Sequence, residues 1–184
     1  MNESSYSCVV QLLLNLYPER YNINQIARKV PLSVGGVFKS LTILEREGIL
    51  SSKNVGNAKL YQINFSSEKG RKFSELIIFQ KNKNLLLKLS KILDKISSFS
   101  DDILMVFYKK GKKPELFFVL ADFKIKEITK EIAGVYSYRF SSFAEFKKNL
   151  ENLSFFKKFW SSYIPVYGES LFFRLIGETF NENK

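Results

Sequence analysis

SVGGVFKSLTILEREGIL, residues 33–50, reads as a helix with a start, a buried face and a stop. Ser33 has the short oxygen-bearing side chain of an N-cap. Val34, Val37, Leu41 and Leu44 then recur at three- and four-residue steps, which predicts one apolar face. Gly48 ends the helix, since a residue without Cβ enters the left-handed region without steric cost. Gly35 and Gly36 fall in the first outward turn, each about 1 kcal/mol less favourable in a helix than alanine. Their presence implies either that the backbone must approach something closely or that crowding against a preceding helix is relieved.

Upstream, Asn22 can cap a shorter helix whose stripe is Ile23, Ile26, Ala27 and Val30, with Gln25, Arg28 and Lys29 facing water and Pro31 ending it. Two helices across a tight turn form a helix-turn-helix. Ser7 to Tyr17 is too apolar for a surface helix and is predicted to be a core helix stopped by Pro18. Downstream, ILSSKNVGNAKLYQINF alternates in the β manner around Val55-Gly56-Asn57, where glycine and asparagine tolerate the positive φ of a hairpin tip. That hairpin is a candidate wing.

The run Leu41, Leu44, Glu45, Gly48, Ile49 and Leu50, followed by a hairpin ending in LYQI, resembles the winged helix-turn-helix regulators of bacteria and archaea, of the broad MarR and ArsR kind. The resemblance covers residues 1–65. It implies a transcription regulator with double-stranded DNA as partner, the helix from Ser33 entering the major groove and the wing touching backbone or minor groove. The residues it nominates are Lys39 and Thr42, with Ser33 and Ser40 behind them, Gly35 and Gly36 for close approach, and Gln25 from the preceding helix. On the wing they are Lys53, Asn54, Asn57 and Lys59, which would position the protein without reading sequence. A merely solvated hairpin would carry the same side chains.

Residues 66–100 contain no proline and are expected to form one long helix, or two joined near Asn82-Lys83-Asn84. Leu85, Leu86, Leu89, Ile92, Leu93 and Ile96 make a stripe at three- and four-residue steps. Related regulators use such a helix to pair subunits, which implies a homodimer through these residues; the alternative is that the stripe packs on the chain's own C-terminal part. This segment is also the most basic, with eight basic against three acidic side chains, a composition that suits a solvated face as well as a phosphate-facing one.

Residues 101–184 read as a second unit of α+β order. Ile103 to Tyr108 and Leu116 to Ala121 are strand-like around KKGKKPE, a helix is expected over Glu127 to Ala133, and a third strand over Tyr136 to Phe140. Ser142 starts a helix, and Ile164 to Tyr167 leads through Gly168 into a last helix ending near Ile176. This order looks like a minimal nucleotidyltransferase domain, which archaea sometimes fuse to a winged helix. That family carries Gly-Ser after its first strand and Asp-x-Asp on its second to hold magnesium and a triphosphate. Here those places read Tyr108-Lys109 and Glu115-Leu116-Phe117, so a degenerate, non-enzymatic relative is expected, kept for packing, dimerisation or ligand sensing. The lysines at 109, 110, 112 and 113 form a basic turn, either an anion contact or a soluble loop. The many phenylalanines of this half are assigned to core rather than to an effector pocket.

Composition sets outer limits. Lys and Arg number 29 against 18 Asp and Glu, a net charge of +11 that attracts a polyanion. One cysteine and no histidine exclude an intramolecular disulfide and a His-based triad, so neither cofactor nor metal is expected and a reducing cytoplasm fits. Neither a signal sequence nor a membrane span is indicated. Two other readings remain open: a nucleotidyltransferase or toxin-antitoxin component tethered to DNA, and a winged helix used only for protein assembly.

Overall fold

The computed structural model describes residues 3–121 and 136–180. Their fold is α+β. The chain divides into two units, one running up to Lys81 and taking in Phe180, the other running from Asn82 to Thr179.

In the first unit α1 (Glu3–Leu16) is followed by β1 (Tyr21–Asn22), α2 (Ile23–Ala27), α3 (Val34–Arg46), β2 (Leu50–Val55) and β3 (Ala58–Ile63). The three strands form an antiparallel sheet in the order β1-β3-β2. Three helices with a small sheet whose last two strands project as a hairpin make a winged helix-turn-helix. Its core is Val9, Val10, Leu13, Ile26, Val37, Leu41 and Ile63, none more than 1% exposed.

The local signals explain the element ends. Asn22 caps α2 in a capping box: its side chain accepts from the Gln25 amide while the Gln25 side chain accepts from the Asn22 amide, both at 2.9 Å. Ser33 caps α3 by accepting from the Gly36 amide. At the other end Gly48 adopts φ +74°. Its amide donates to Glu45 and that of Ile49 to Leu44, the paired bonds of a Schellman stop.

One expectation for α3 is corrected. Val34 does not share the buried face; it is 52% exposed. At 3.6 residues per turn the buried arc is centred on Leu44 and Val37 and includes Ser40, and Val34 falls just beyond its far edge, beside Phe38.

α4 (Glu68–Ser97) is one uninterrupted helix, and the unit boundary falls inside it. In the second unit β4 (Ile103–Lys109) and β5 (Glu115–Leu120) form a hairpin, β6 (Ser137–Ser142) lies parallel to β5, and β7 (Ile164–Tyr167) lies antiparallel to β4, giving the order β6-β5-β4-β7. α5 (Phe143–Leu150), α6 (Leu153–Ser162) and α7 (Glu169–Thr179) complete it. The helix expected over Glu127 to Ala133 lies outside the described residues.

Both faces of this sheet are covered, which explains the unbroken apolar runs in β4 and β5. On one face Val106, Leu116, Phe118 and Val166 pack with Leu89 and Ile96 of α4. On the other, Phe107 meets Phe146, Phe159 and Phe172 at ring-centroid distances of 4.8–5.5 Å. The aromatic residues therefore build core, as their number suggested.

The first packing matches the alternative to the dimer stripe, that it packs on the chain's own C-terminal part. Leu89 and Ile96 are at most 1% exposed, and Leu85, Leu86, Ile92 and Leu93 pack against the same cluster. These six residues are used inside the subunit. Periodicity shows that the stripe needs a covering surface, and the chain's own sheet supplies one.

Candidate nucleic-acid interface

α3 offers an outward face because its inward face is fully committed. Gly35 is exposed, and a Cβ built there would meet no atom within 4 Å. Crowding does not account for it. Gly36 is tighter, with its nearest neighbour the Ser33 Oγ of its own cap. Lys39 is exposed and makes no ion pair among the described residues. Thr42 is exposed too, but its hydroxyl donates to the Phe38 carbonyl at 2.9 Å, which leaves its oxygen lone pairs and methyl group to face outward.

Other nominated residues are placed differently. Ser40 is 3% exposed and lies inside the buried arc of α3, so it cannot reach a ligand on the outward face; its polarity misled. Gln25 is exposed, yet its side-chain oxygen is engaged in the capping box of α2. Ser33 is exposed with its oxygen accepting from Gly36. Residues that were missed are Phe38, 58% exposed, and Val34. Their apolar character had argued for core, and only the rotational phase of the stripe could have placed them outside.

The wing has a two-residue tip. Val55 pairs with Ala58, and Gly56 alone adopts positive φ, +56°. Positive φ at the first tip residue only is the type II′ pattern, so Asn57 needs no left-handed backbone, contrary to the expectation. Lys53, Asn54, Gly56 and Asn57 are exposed.

Lys59 is not a free cation. Its Nζ lies 2.7 Å from Glu45 Oε2 and 5.4 Å from the Tyr61 ring centroid. Ser52 also donates to Glu45, so one carboxylate on α3 ties down both wing strands. Partial burial would raise the Glu45 pKa, but the bonds from Lys59 and Ser52 outweigh it and hold the carboxyl below its ordinary 4.5. A depressed carboxyl contributes stability above its unfolded value and loses it as pH falls through the folded one. The tie is therefore expected to hold at neutral pH and to loosen below pH 4.5, by about 0.2–1 kcal/mol as for other exposed pairs. A carboxyl-resolved NMR titration placing Glu45 at or above 4.5 would contradict this.

In the second unit, Glu115 accepts from the Tyr163 hydroxyl and lies 3.3 Å from Arg139 Nε. Burial and that carboxylate push the Tyr163 pKa up to about 12. Leu116 is buried and Phe117 is packed among rings. Lys109 sits over the Tyr163 ring at 5.5 Å, while Lys110, Lys112 and Lys113 are exposed at the turn. Among the described residues no group of three or more acidic, Cys or His side chains could hold a metal ion, and no helix is long and apolar enough to cross a membrane.

No family model matches the chain, and no curated protein matches it. Among solved structures it is similar to the adhesin competence repressor of Streptococcus pyogenes, over 50% of this chain and 76% of that one, at 15% sequence identity and a TM-score of 0.36. A likeness of that size carries no inference about what this chain binds.

Proposed function

We propose that this chain is a transcription regulator that binds double-stranded DNA through its winged helix, with α3 in the major groove and the wing against the backbone. The observation that carries the reading is the outward face of α3. Gly35 leaves its backbone open and Lys39 adds a charge with no ion-pair partner among the described residues, on a helix whose opposite side is 0–3% exposed. A helix held so firmly from behind, in a chain of net charge +11, suits a groove lined with phosphates. No reaction is assigned to the C-terminal unit, where the carboxylate at 115 is engaged by Tyr163 and Arg139.

Charge reversal tests the docking face. Lys59 is a poor target, because Lys59→Glu would set two carboxylates side by side. Lys39→Glu with Lys53→Glu should weaken duplex binding about tenfold or more at moderate salt, and flatten the plot of log affinity against log salt by about 1 per lost phosphate contact. Unchanged affinity and slope would remove this face from the proposal.

A homodimer would present two recognition helices to half-sites about one helical turn apart. Leu89 and Ile96 are buried in their own subunit and Leu85, Leu86, Ile92 and Leu93 partly so, which leaves the stripe little apolar surface for pairing. Light scattering at micromolar concentration should return a dimeric mass; a monomeric one removes this part.

A further inference from the structure

α3 holds two large apolar side chains in water: Val34, 52% exposed, and Phe38, 58% exposed. They stand four residues apart and continue into exposed Thr42, so they form one row along the helix. Gly35 and Lys39 complete the outward face of the first two turns. No Arg, Asn or Gln is present in α3 before Arg46 in its last turn. The Asn or Gln pair that reads adenine and the arginine fork that reads guanine are therefore missing from the part of the helix that enters the groove first, where Lys39 is the one side chain able to donate to guanine. What Val34 and Phe38 themselves can offer is apolar contact, and the only methyl group that base pairs display in the major groove is the C5-methyl of thymine.

The occupant is decided by what surrounds the pair. Lys39 follows Phe38 directly and has no ion-pair partner among the described residues, which matches a polyanion better than an apolar protein surface. The open space at Gly35 lets the backbone beside Val34 come close enough for a short side chain to touch a base edge.

We propose that Val34 and Phe38 contact thymine methyl groups, so that the preferred duplex carries A·T pairs where the first two turns of α3 face it. The inference rests on the DNA-binding reading and specifies which bases that reading selects. Burying one methyl is worth about fourfold in affinity, so two contacts give about tenfold or more.

The test compares the full-length protein on an alternating A/T duplex and on the same duplex with uracil in place of thymine, which removes only the methyl. Fluorescence anisotropy at fixed salt should show the wild type binding the thymine duplex at least tenfold more tightly. Val34→Ser with Phe38→Ser should bind both duplexes equally, near the wild-type affinity for the uracil form, with unchanged salt dependence and an unchanged circular dichroism spectrum. As a second arm, 5-methylcytosine in place of cytosine in a G·C duplex should raise wild-type affinity and leave the double variant unaffected. Equal wild-type affinity for the thymine and uracil duplexes, with salt-dependent binding intact, overturns the thymine inference while leaving DNA binding in place. A folded double variant that still discriminates overturns it as well. Failure to bind any of these duplexes at low salt overturns both.

Discussion

Replacing Phe107 with alanine is expected to cost about 3–5 kcal/mol. Phe107 is 0% exposed, lies on a central strand, and has Phe146, Phe159 and Phe172 around it within 5.5 Å. Rings held from α5, α6 and α7 cannot all move inward, so a cavity stays open after truncation. Trp160 is the only tryptophan in the chain and its ring lies 5.9 Å from that of Phe172. Its fluorescence therefore follows this core during urea unfolding. A drop in midpoint worth less than about 1 kcal/mol would mean that the cluster is not built around Phe107. Phe79→Ala is the control: at 55% exposure it should change stability by no more than about 0.5 kcal/mol.

Gly70→Ala is expected to be the most damaging small substitution in the N-terminal unit. A Cβ there would overlap the carbonyl of Asn64 and stand 3.2 Å from that of Ile49. Both carbonyls belong to the hydrogen-bonded junction where the wing sheet passes into α4, since the Asn64 amide donates to Ile49 and the Ser67 amide to Asn64. Backbone cannot rotate out of the way as a side chain would. The cost is expected at or above the top of the ~1–3 kcal/mol range for overpacking, with faster hydrogen exchange at Asn64 and Ser67. Gly35→Ala, in open space, serves as the comparison, and equal stability of the two variants would contradict the close approach.

How far this was legible in the sequence differs by residue. Ser33, Gly48 and the Val37-Leu41-Leu44 spacing predict α3 and both its ends, because cap, stop and period are local properties that a single chain carries. The capping box was partly readable: Asn22 was identified, while Gln25 three residues on was assigned to water although that spacing is the signature. Ser40 and Val34 were exchanged, since residue type outvoted phase at the two edges of the buried arc. Lys59 looked free because Glu45 is fourteen residues away and only the fold brings them together. The stripe from Leu85 to Ile96 was legible as an apolar face, and it packs on the chain's own sheet, the alternative to a dimer contact. Periodicity reports that a face is covered, and long-range topology decides by what.

The central claim is that the N-terminal unit binds duplex DNA, and a titration of the wild-type protein with a mixed-sequence duplex across a range of salt concentrations tests it most directly. The account predicts binding at low salt whose log affinity falls linearly with log salt, steeply enough for several displaced counterions. No retardation of any duplex at low salt, or an affinity indifferent to salt, would contradict it.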